Sequence, residues 1–332
     1  MKILGLETSC DETAAAVVEV KGGRFKVLSN IVSSQVAIHR RFGGVVPEVA
    51  ARNHLKNMIF VVDRALHGNG LSKIDLVAVN YCPGLITSLI VGVETAKALA
   101  YSLNKPLIGV DHLNAHLAAV YLDNPKIKYP ALGLLVSGGH TQLIIMKKPN
   151  SFKVIGQTLD DAAGEAFDKV AKILKLGYPG GPIISRLAQA GQADAYALPR
   201  PMINKGHYDF SFSGLKTAVL YLVKGKKLSQ KQVKDLCASF EQAVVDVLIA
   251  KTLKAAREQK VKTIILAGGV AANRKLRANL AQAIQKELPQ VNFQVPAIEH
   301  CTDNAAMTAV AGYFVYQKRG ADNLFKLTAQ TD

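Results

Sequence analysis

One segment of this chain occurs twice, and that repeat limits what the chain can fold into. LGLETSCDETAA at 4–15 realigns with LGLLVSGGHTQL at 132–143, superposing Gly5 on Gly133, Ser9 on Ser137 and Thr13 on Thr141. Phe25-Lys26-Val27 answers Phe152-Lys153-Val154 one residue short of the same offset, so the register survives past the first turn. Each copy joins an apolar run to a second one through a small, hydroxyl-rich turn, which is how a strand pair reads in sequence. Two copies need two cores, and 332 residues with 49% hydrophobic content supply them. Two such turns facing each other across an interdomain cleft would grip a phosphate from both sides.

Hydrophobic periodicity predicts the same order of elements in both copies. The first has strands near 2–8, 13–20 and 25–35, a helix near 48–68, a strand near 75–81, a helix near 86–103 and a strand near 107–111. The second has strands near 131–136, 141–147 and 152–158, a helix near 161–175, inserted helices, a strand near 262–267, a helix near 273–287 and a strand near 291–295. Three antiparallel strands followed by alternating helix and strand, twice over, define an α/β fold. It is the pair of tandem ribonuclease-H-like domains of the actin, Hsp70 and sugar-kinase (ASKHA) architecture. The expected division is 1–130 and 131–303, with a last helix at about 304–320 packing back on the first domain. An inserted region at about 176–240 carries LGYPGGP, PRPM and DFSFSGLKT, whose Gly and Pro content predicts loops between short helices.

Composition narrows the class. No apolar run reaches the roughly 18–20 residues of a membrane span, and the first residues enter a strand pattern rather than a signal-peptide layout. A cytosolic protein with no membrane association is expected. Cys10, Cys82, Cys237 and Cys301 lack CxxC spacing, which argues against a zinc ribbon or a disulfide framework. The net charge of +16 favours a polyanionic partner. Basic residues concentrate at His39-Arg40-Arg41 and along Lys224–Lys234, either as a nucleic-acid footprint or as solvated surface.

Three turns carry candidate chemistry. In Glu7–Thr13 the hydroxyls and backbone NH groups suit an anion, while Asp11 and Glu12 face a metal or a proton. In Ser137-Gly138-Gly139-His140-Thr141 the glycines admit a phosphate to the backbone, and His140 orders the turn. In Ala267–Arg274 small residues make room for a nucleoside that Asn273 can hydrogen-bond. His112 and His116 form HLNAH; on a helix both imidazoles share one face and can share a metal. HLNAH is not HExxH and lacks the glutamate base of a zinc protease near its first histidine. Asp303 is the leading third ligand, with His300 and Cys301 as rivals, and two imidazoles plus a carboxylate suit Fe(II) while accepting Zn(II). Asp168 lies one turn from Glu165 on a helix, as a site residue or as part of a solvated face. Asp160 and Asp161 resemble helix-capping acids.

These motifs, with GGVVPEVAARNH (43–54), DDAAGEAFDK (160–169), YPGGP (178–182), LAGGVAANR (266–274) and CTDN (301–304), span essentially the whole chain. Together they resemble the bacterial tRNA adenosine threonylcarbamoyltransferase family, formerly called O-sialoglycoprotein endopeptidases. The resemblance implies transfer of a threonylcarbamoyl group from threonylcarbamoyl-AMP to the exocyclic amine of the adenosine beside the anticodon. It implies one iron at His112, His116 and Asp303, and substrate contacts at Leu135, Val136, Ser137, Gly138, Gly139, Asp168, Gly181 and Asn273. Asp11 and Glu12 remain candidates for the catalytic base. The partners it implies are tRNA, a paralogous TsaB-like subunit and a TsaE-like ATPase. Ser185 departs from the pattern, since many relatives carry Asp there. A small-molecule kinase, a metalloprotease and a nucleotide-gated scaffold are the competing readings.

Overall fold

The computed structural model describes residues 1–124 and 126–331, which divide into two compact units: Met1–Ile127 with Pro296–Asp332, and Lys128–Val295. In the first unit β1 (Lys2–Glu7), β2 (Glu12–Lys21) and β3 (Arg24–Ser34) form an antiparallel meander. The β2–β3 turn is Gly22-Gly23, with φ of 57° and 73°, the left-handed pair a two-residue hairpin needs. A short α1 (Val36–His39) leads to α2 (Pro47–Leu66), which starts with proline at its first position. Then β4 (Leu76–Cys82), α3 (Ile86–Leu103) and β5 (Leu107–Asp111) complete a sheet of order β3-β2-β1-β4-β5, with β1, β4 and β5 parallel. Two short helices follow, α4 (His112–Ala118) and α5 (Val120–Asp123).

The second unit repeats this plan. Strands β6 (Ala131–Val136), β7 (Thr141–Met146) and β8 (Phe152–Gln157) form its meander, and β9 (Thr263–Ala267) and β10 (Asn292–Gln294) extend β6 in parallel. Gly5 pairs with Ala16 as Gly133 pairs with Ile144, so the sequence repeat is also a repeat of strand register. Its threonines do equivalent work. Thr13 Oγ1 lies 2.8 Å from His54 Nδ1 on α2, and Thr141 Oγ1 accepts Ala163 N at 2.9 Å, tying each meander to the helix after it. That second helix is α6 (Ala163–Ile173), followed by α7 (Gly180–Ala188), α8 (Ser213–Val223), α9 (Gln230–Glu258) and, after β9, α10 (Arg274–Glu287). The chain then returns to the first unit as α11 (Ala305–Arg319). Contact of α11 with β1 is so close that a Cβ on Gly5 would meet the Ala305 carbonyl oxygen at 2.2 Å.

Three expectations change. The inserted region ends in a long buried helix rather than only loops and short helices, because α9 runs 29 residues from Gln230 to Glu258 behind a Ser229 cap. Among the described residues α3 is long and apolar enough to cross a membrane by length and composition. It lies against β4 and α2, with Leu89, Val93, Ala96 and Ala100 buried. Asp160 and Asp161 do not cap their own helix, whose N-cap is Ala162. Asp160 instead accepts Phe212 N at 2.8 Å and both Ser211 Oγ and Ser213 Oγ, holding the start of α8. Asp161 pairs with Lys169 at 2.5 Å and Lys216 at 2.6 Å.

Candidate metal centre and anion-binding cavity

The first unit assembles the candidate metal centre from two helix starts. Asp111, the last residue of β5, accepts Asn114 N at 2.8 Å and so begins α4 at His112. His112 and His116 therefore lie one turn apart on one face, with ring centroids 4.6 Å apart. Asp303 immediately precedes Asn304, which caps α11 by accepting Met307 N at 3.1 Å and is itself tied to the Thr302 carbonyl. The Asp303 Oδ1 atom is 3.1 Å from His116 Nε2 and 3.7 Å from His112 Nε2, and one ligand atom from each residue falls within 4.8 Å of the others. The rivals are spent elsewhere. His300 Nδ1 lies 3.2 Å from Asp123 Oδ2, and Cys301 Sγ turns to the Ala297 carbonyl.

The donor set fits a cation. His116 is 1% exposed, yet neither of its ring nitrogens has a well-formed hydrogen bond, Nε2 facing the Asp303 carboxylate at 3.1 Å. Buried polar atoms left so are costly, and a cation on Nε2 would satisfy one of them. Charge is also prepared. Burial opposes protonation of His112, but the Glu7 and Asp303 carboxylates outweigh it and raise the imidazole to about 9. Burial likewise opposes ionisation of Asp303, but His112 and His116 hold it at about 2. Glu12 is pushed up to about 9 by burial and by Asp303 and Asp11, so both candidate base residues belong to the same electrostatic cluster. Burial, with Asp11, Asp303 and Glu12, raises the Cys10 thiol well above its usual range and keeps it protonated. Behind His112 sits a residue that sequence reasoning left without a role. Glu7 is fully buried, with Oε2 3.2 Å from His112 Nδ1. A carboxylate ending an apolar strand was the available signal.

The second unit contains a cavity of about 670 Å³ whose lining includes Gly138, Phe167, Asp168, Gly181, Asn273 and Arg274. Ser137 N donates to the His140 carbonyl at 2.8 Å and His140 N to Ser137 Oγ at 3.0 Å, closing the turn that presents Gly138 and Gly139. No heavy atom lies within 4 Å of a Cβ built on Gly138, Gly139 or Gly269. Their openness contrasts with Gly268, whose φ of 90° and 2.4 Å approach to the Val136 carbonyl make glycine a requirement of the fold. Leu135 and Val136 are fully buried on β6, so they support the turn while the cavity is lined by others.

Asp168 accepts Gly180 N at 2.7 Å and joins α6 to α7. Asn273 is more committed than its sequence context suggests. Its Oδ1 accepts Leu276 N at 2.9 Å as the cap of α10, and its Nδ2 donates to Ser185 Oγ at 2.9 Å and Glu241 Oε1 at 2.7 Å. Glu241, 4% exposed and also in the lining, was the second residue missed. It interrupts the apolar stripe of Cys237, Val244 and Leu248 on α9, which is the pattern that would have singled it out. Arg274 and Lys275 join the lining at the N-terminus of α10, where free backbone NH groups and the helix dipole favour an anion.

Comparison with known proteins identifies a family that spans most of the chain. A family model described as TsaD, tRNA N6-adenosine threonylcarbamoyltransferase, matches residues 26–310. Curated relatives of that name include those of Thermosipho melanesiensis, 52% identical over 318 residues and 95% of each chain, and Geobacillus kaustophilus, 53% identical over 95% of this chain and 92% of its own. The Bacillus subtilis relative is 50% identical over 97% of this chain and 93% of its own. Among solved structures, HypF of T. kodakarensis superposes with a TM-score of 0.61 at 15% identity, over 95% of this chain and 46% of that one. Component A of the Acidaminococcus fermentans (R)-2-hydroxyglutaryl-CoA dehydratase does so with a TM-score of 0.51 at 16% identity, over 94% of this chain and 98% of that one. Those two likenesses speak to the ASKHA fold alone, whereas the sequence matches run nearly end to end: this chain belongs to the tRNA N6-adenosine threonylcarbamoyltransferase family.

Proposed function

We propose that this chain transfers the threonylcarbamoyl group of threonylcarbamoyl-AMP to the exocyclic amine of the adenosine beside the anticodon, in tRNAs reading codons that begin with A, and releases AMP. The observation that carries the reading is 50% to 53% identity, over almost the whole length, with relatives named for this reaction. A carbamoyl adenylate is already an activated mixed anhydride, so the protein has to orient it and stabilise the departing phosphate rather than supply a covalent nucleophile. A protonated Cys10 accords with that requirement.

In this reading the cavity of the second unit holds the AMP part. The open backbone at Gly138 and Gly269 and the start of α10 with Arg274 receive the phosphate, and Phe167 offers an apolar face to the base. Gly181 leaves room beside them. His112, His116 and Asp303 would hold one Fe(II), and the same donors accept Zn(II). When bound, such a cation supplies Lewis-acid polarisation of a carbonyl and a chelation point for the threonyl group. Asp11 and Glu12 are the residues from which the base that takes the amine proton is drawn.

The TsaB-like subunit and the TsaE-like ATPase belong to the same reading. Leu55, Ile59 and Phe60 leave α2 with apolar side chains 65%, 76% and 70% exposed, a surface that a protein partner would cover. A tRNA substrate implies a cytoplasmic location. The test is to incubate the chain with tRNA, threonine, bicarbonate, ATP and an adenylate-forming enzyme, with and without both partners, and to digest the tRNA to nucleosides. Threonylcarbamoyladenosine is expected; transfer of the ATP γ-phosphate to a small molecule in its place would favour a kinase of the same fold.

A further inference from the structure

The immediate surroundings of His112 contain more than its proposed ligand role requires. Its Nδ1, the nitrogen opposite the one that approaches Asp303, lies 3.2 Å from Glu7 Oε2, 3.1 Å from Ser9 Oγ and 3.2 Å from Asn80 Nδ2. The charged ring carries a proton on both nitrogens; in the neutral form that binds a metal, these neighbours ask for different tautomers. A carboxylate can only accept, so it needs the proton on Nδ1; an amide nitrogen donates, so it needs Nδ1 bare and the proton on Nε2.

The carboxylate wins on energy. Glu7 is fully buried, and besides His112 its hydrogen-bond donor is Ser9 N, at 2.6 Å to Oε1. An ionised oxygen deprived of its donor in such a place costs more than an amide left short of a partner, and the bond to an ionised acceptor is the stronger one. Asn80 can follow. Its Oδ1 is buried without a partner, so turning the amide over presents an acceptor to the same nitrogen. With one proton held on Nδ1, the proton that an arriving cation displaces is the one on Nε2, whose lone pair then faces the space shared with His116 and Asp303, the form in which an imidazole binds a metal. The strand makes this orientation firm, since Leu4 and Leu6 beside Glu7 are fully buried as well.

We propose that Glu7 is the positioning residue of the metal centre: by accepting the Nδ1 proton of His112 it fixes the ring and the tautomer, and so creates the ligand at Nε2. The proposal rests on His112, His116 and Asp303 being the ligands. Carboxylates that hold metal-bound histidines in this way typically contribute about 10–100-fold to metal affinity.

The test uses the full-length chain stripped of metal. Titrated with Co(II), the wild type should bind one ion, and in the Zn(II)-loaded protein nitrogen NMR of labelled histidine should find His112 protonated at Nδ1 and metallated at Nε2. Glu7→Gln keeps the shape but offers an amide to Nδ1, and should bind Co(II) about 10–100-fold more weakly. Adding Asn80→Asp to Glu7→Gln returns a carboxylate to the same nitrogen from β4 and should recover most of the loss. Three results would overturn the proposal: Glu7→Gln binding Co(II) as tightly as wild type, a loss that the second substitution fails to restore in a folded protein, or wild-type Zn(II) bound at Nδ1. The last needs no variant, so it decides even if Glu7→Gln does not fold. If His116→Ala binds Co(II) like the wild type, the ligand set itself is wrong and the role of Glu7 falls with it.

Discussion

At the scale of single residues, the two sites make opposite demands on substitution. His116 has one polar approach, to Asp303 at 3.1 Å, so replacing it removes a ligand and one of the two imidazoles beside Asp303 without dismantling a wider network. His116→Ala is expected to fold, by circular dichroism, and to carry no stoichiometric metal by elemental analysis after purification; full metal content would reject the ligand assignment. Gly138 lies in open space, and nothing in the protein resists a side chain there. Gly138→Val should therefore leave the melting temperature nearly unchanged while weakening AMP binding in calorimetry by several-fold or more, because the added branches occupy the approach to the backbone. Unaltered affinity would mean the turn is only a hairpin. The residues of these sites that could be read from sequence were those whose spacing carries the chemistry, His112 and His116 above all. Glu7 and Glu241 escaped because each acts through a partner distant in sequence, Glu7 on His112 and Glu241 on Asn273.

At the scale of elements, the strand and helix order was legible because each copy alternates apolar runs with turns, and Gly5 and Gly133 mark equivalent registers. The inserted region was less legible. Its glycines and prolines advertise loops, whereas α9 is fixed by burial of Leu236, Phe240, Val247 and their neighbours. The acidic pair at 160–161 was misread for a related reason: its partners lie on α8 and along α6, beyond the range of a local capping rule. That pair carries a pH signature. Burial opposes ionisation of Asp161, but Lys169 and Lys216 outweigh it and lower the carboxyl below its usual range. A depressed folded-state value stabilises the protein above the unfolded value of about 4, and the contribution disappears as pH falls through the folded value. Thermal melts should thus show wild type losing stability in acid below about pH 4, with Asp161→Asn less stable at neutral pH and the difference shrinking in acid. A constant difference across that range would exclude the ion pairs as its source. Asp161→Ala, which leaves Lys169 with Glu165 alone and takes the Asp161 carboxylate from Lys216, should cost about 1 kcal/mol at neutral pH, since both lysines still reach solvent.

At the scale of the whole molecule, a net charge of +16 speaks to the tRNA. One of the two basic clusters is smaller than its sequence suggested, since His39 is fully buried and its Nδ1 accepts Val46 N at 3.2 Å; Arg40 and Arg41 remain on the surface. Binding of tRNA should fall steeply with salt, each neutralised phosphate adding about 0.7–0.9 to the log–log slope. Charge reversal at Arg40 and Arg41 should flatten that slope and leave AMP binding as it was. If affinity and slope both stay normal, the contact moves to Lys224–Lys234 or to a partner subunit. The central claim is acyl transfer, and it is tested most directly by supplying preformed threonylcarbamoyl-AMP, isotopically labelled at the carbamoyl carbon, to the chain with its partners and tRNA. The label is predicted to appear in threonylcarbamoyladenosine of the digested tRNA, matched by unlabelled AMP, with wild type and not with His116→Ala. Label remaining in the adenylate, or reaching the tRNA equally well with His116→Ala, would contradict the account.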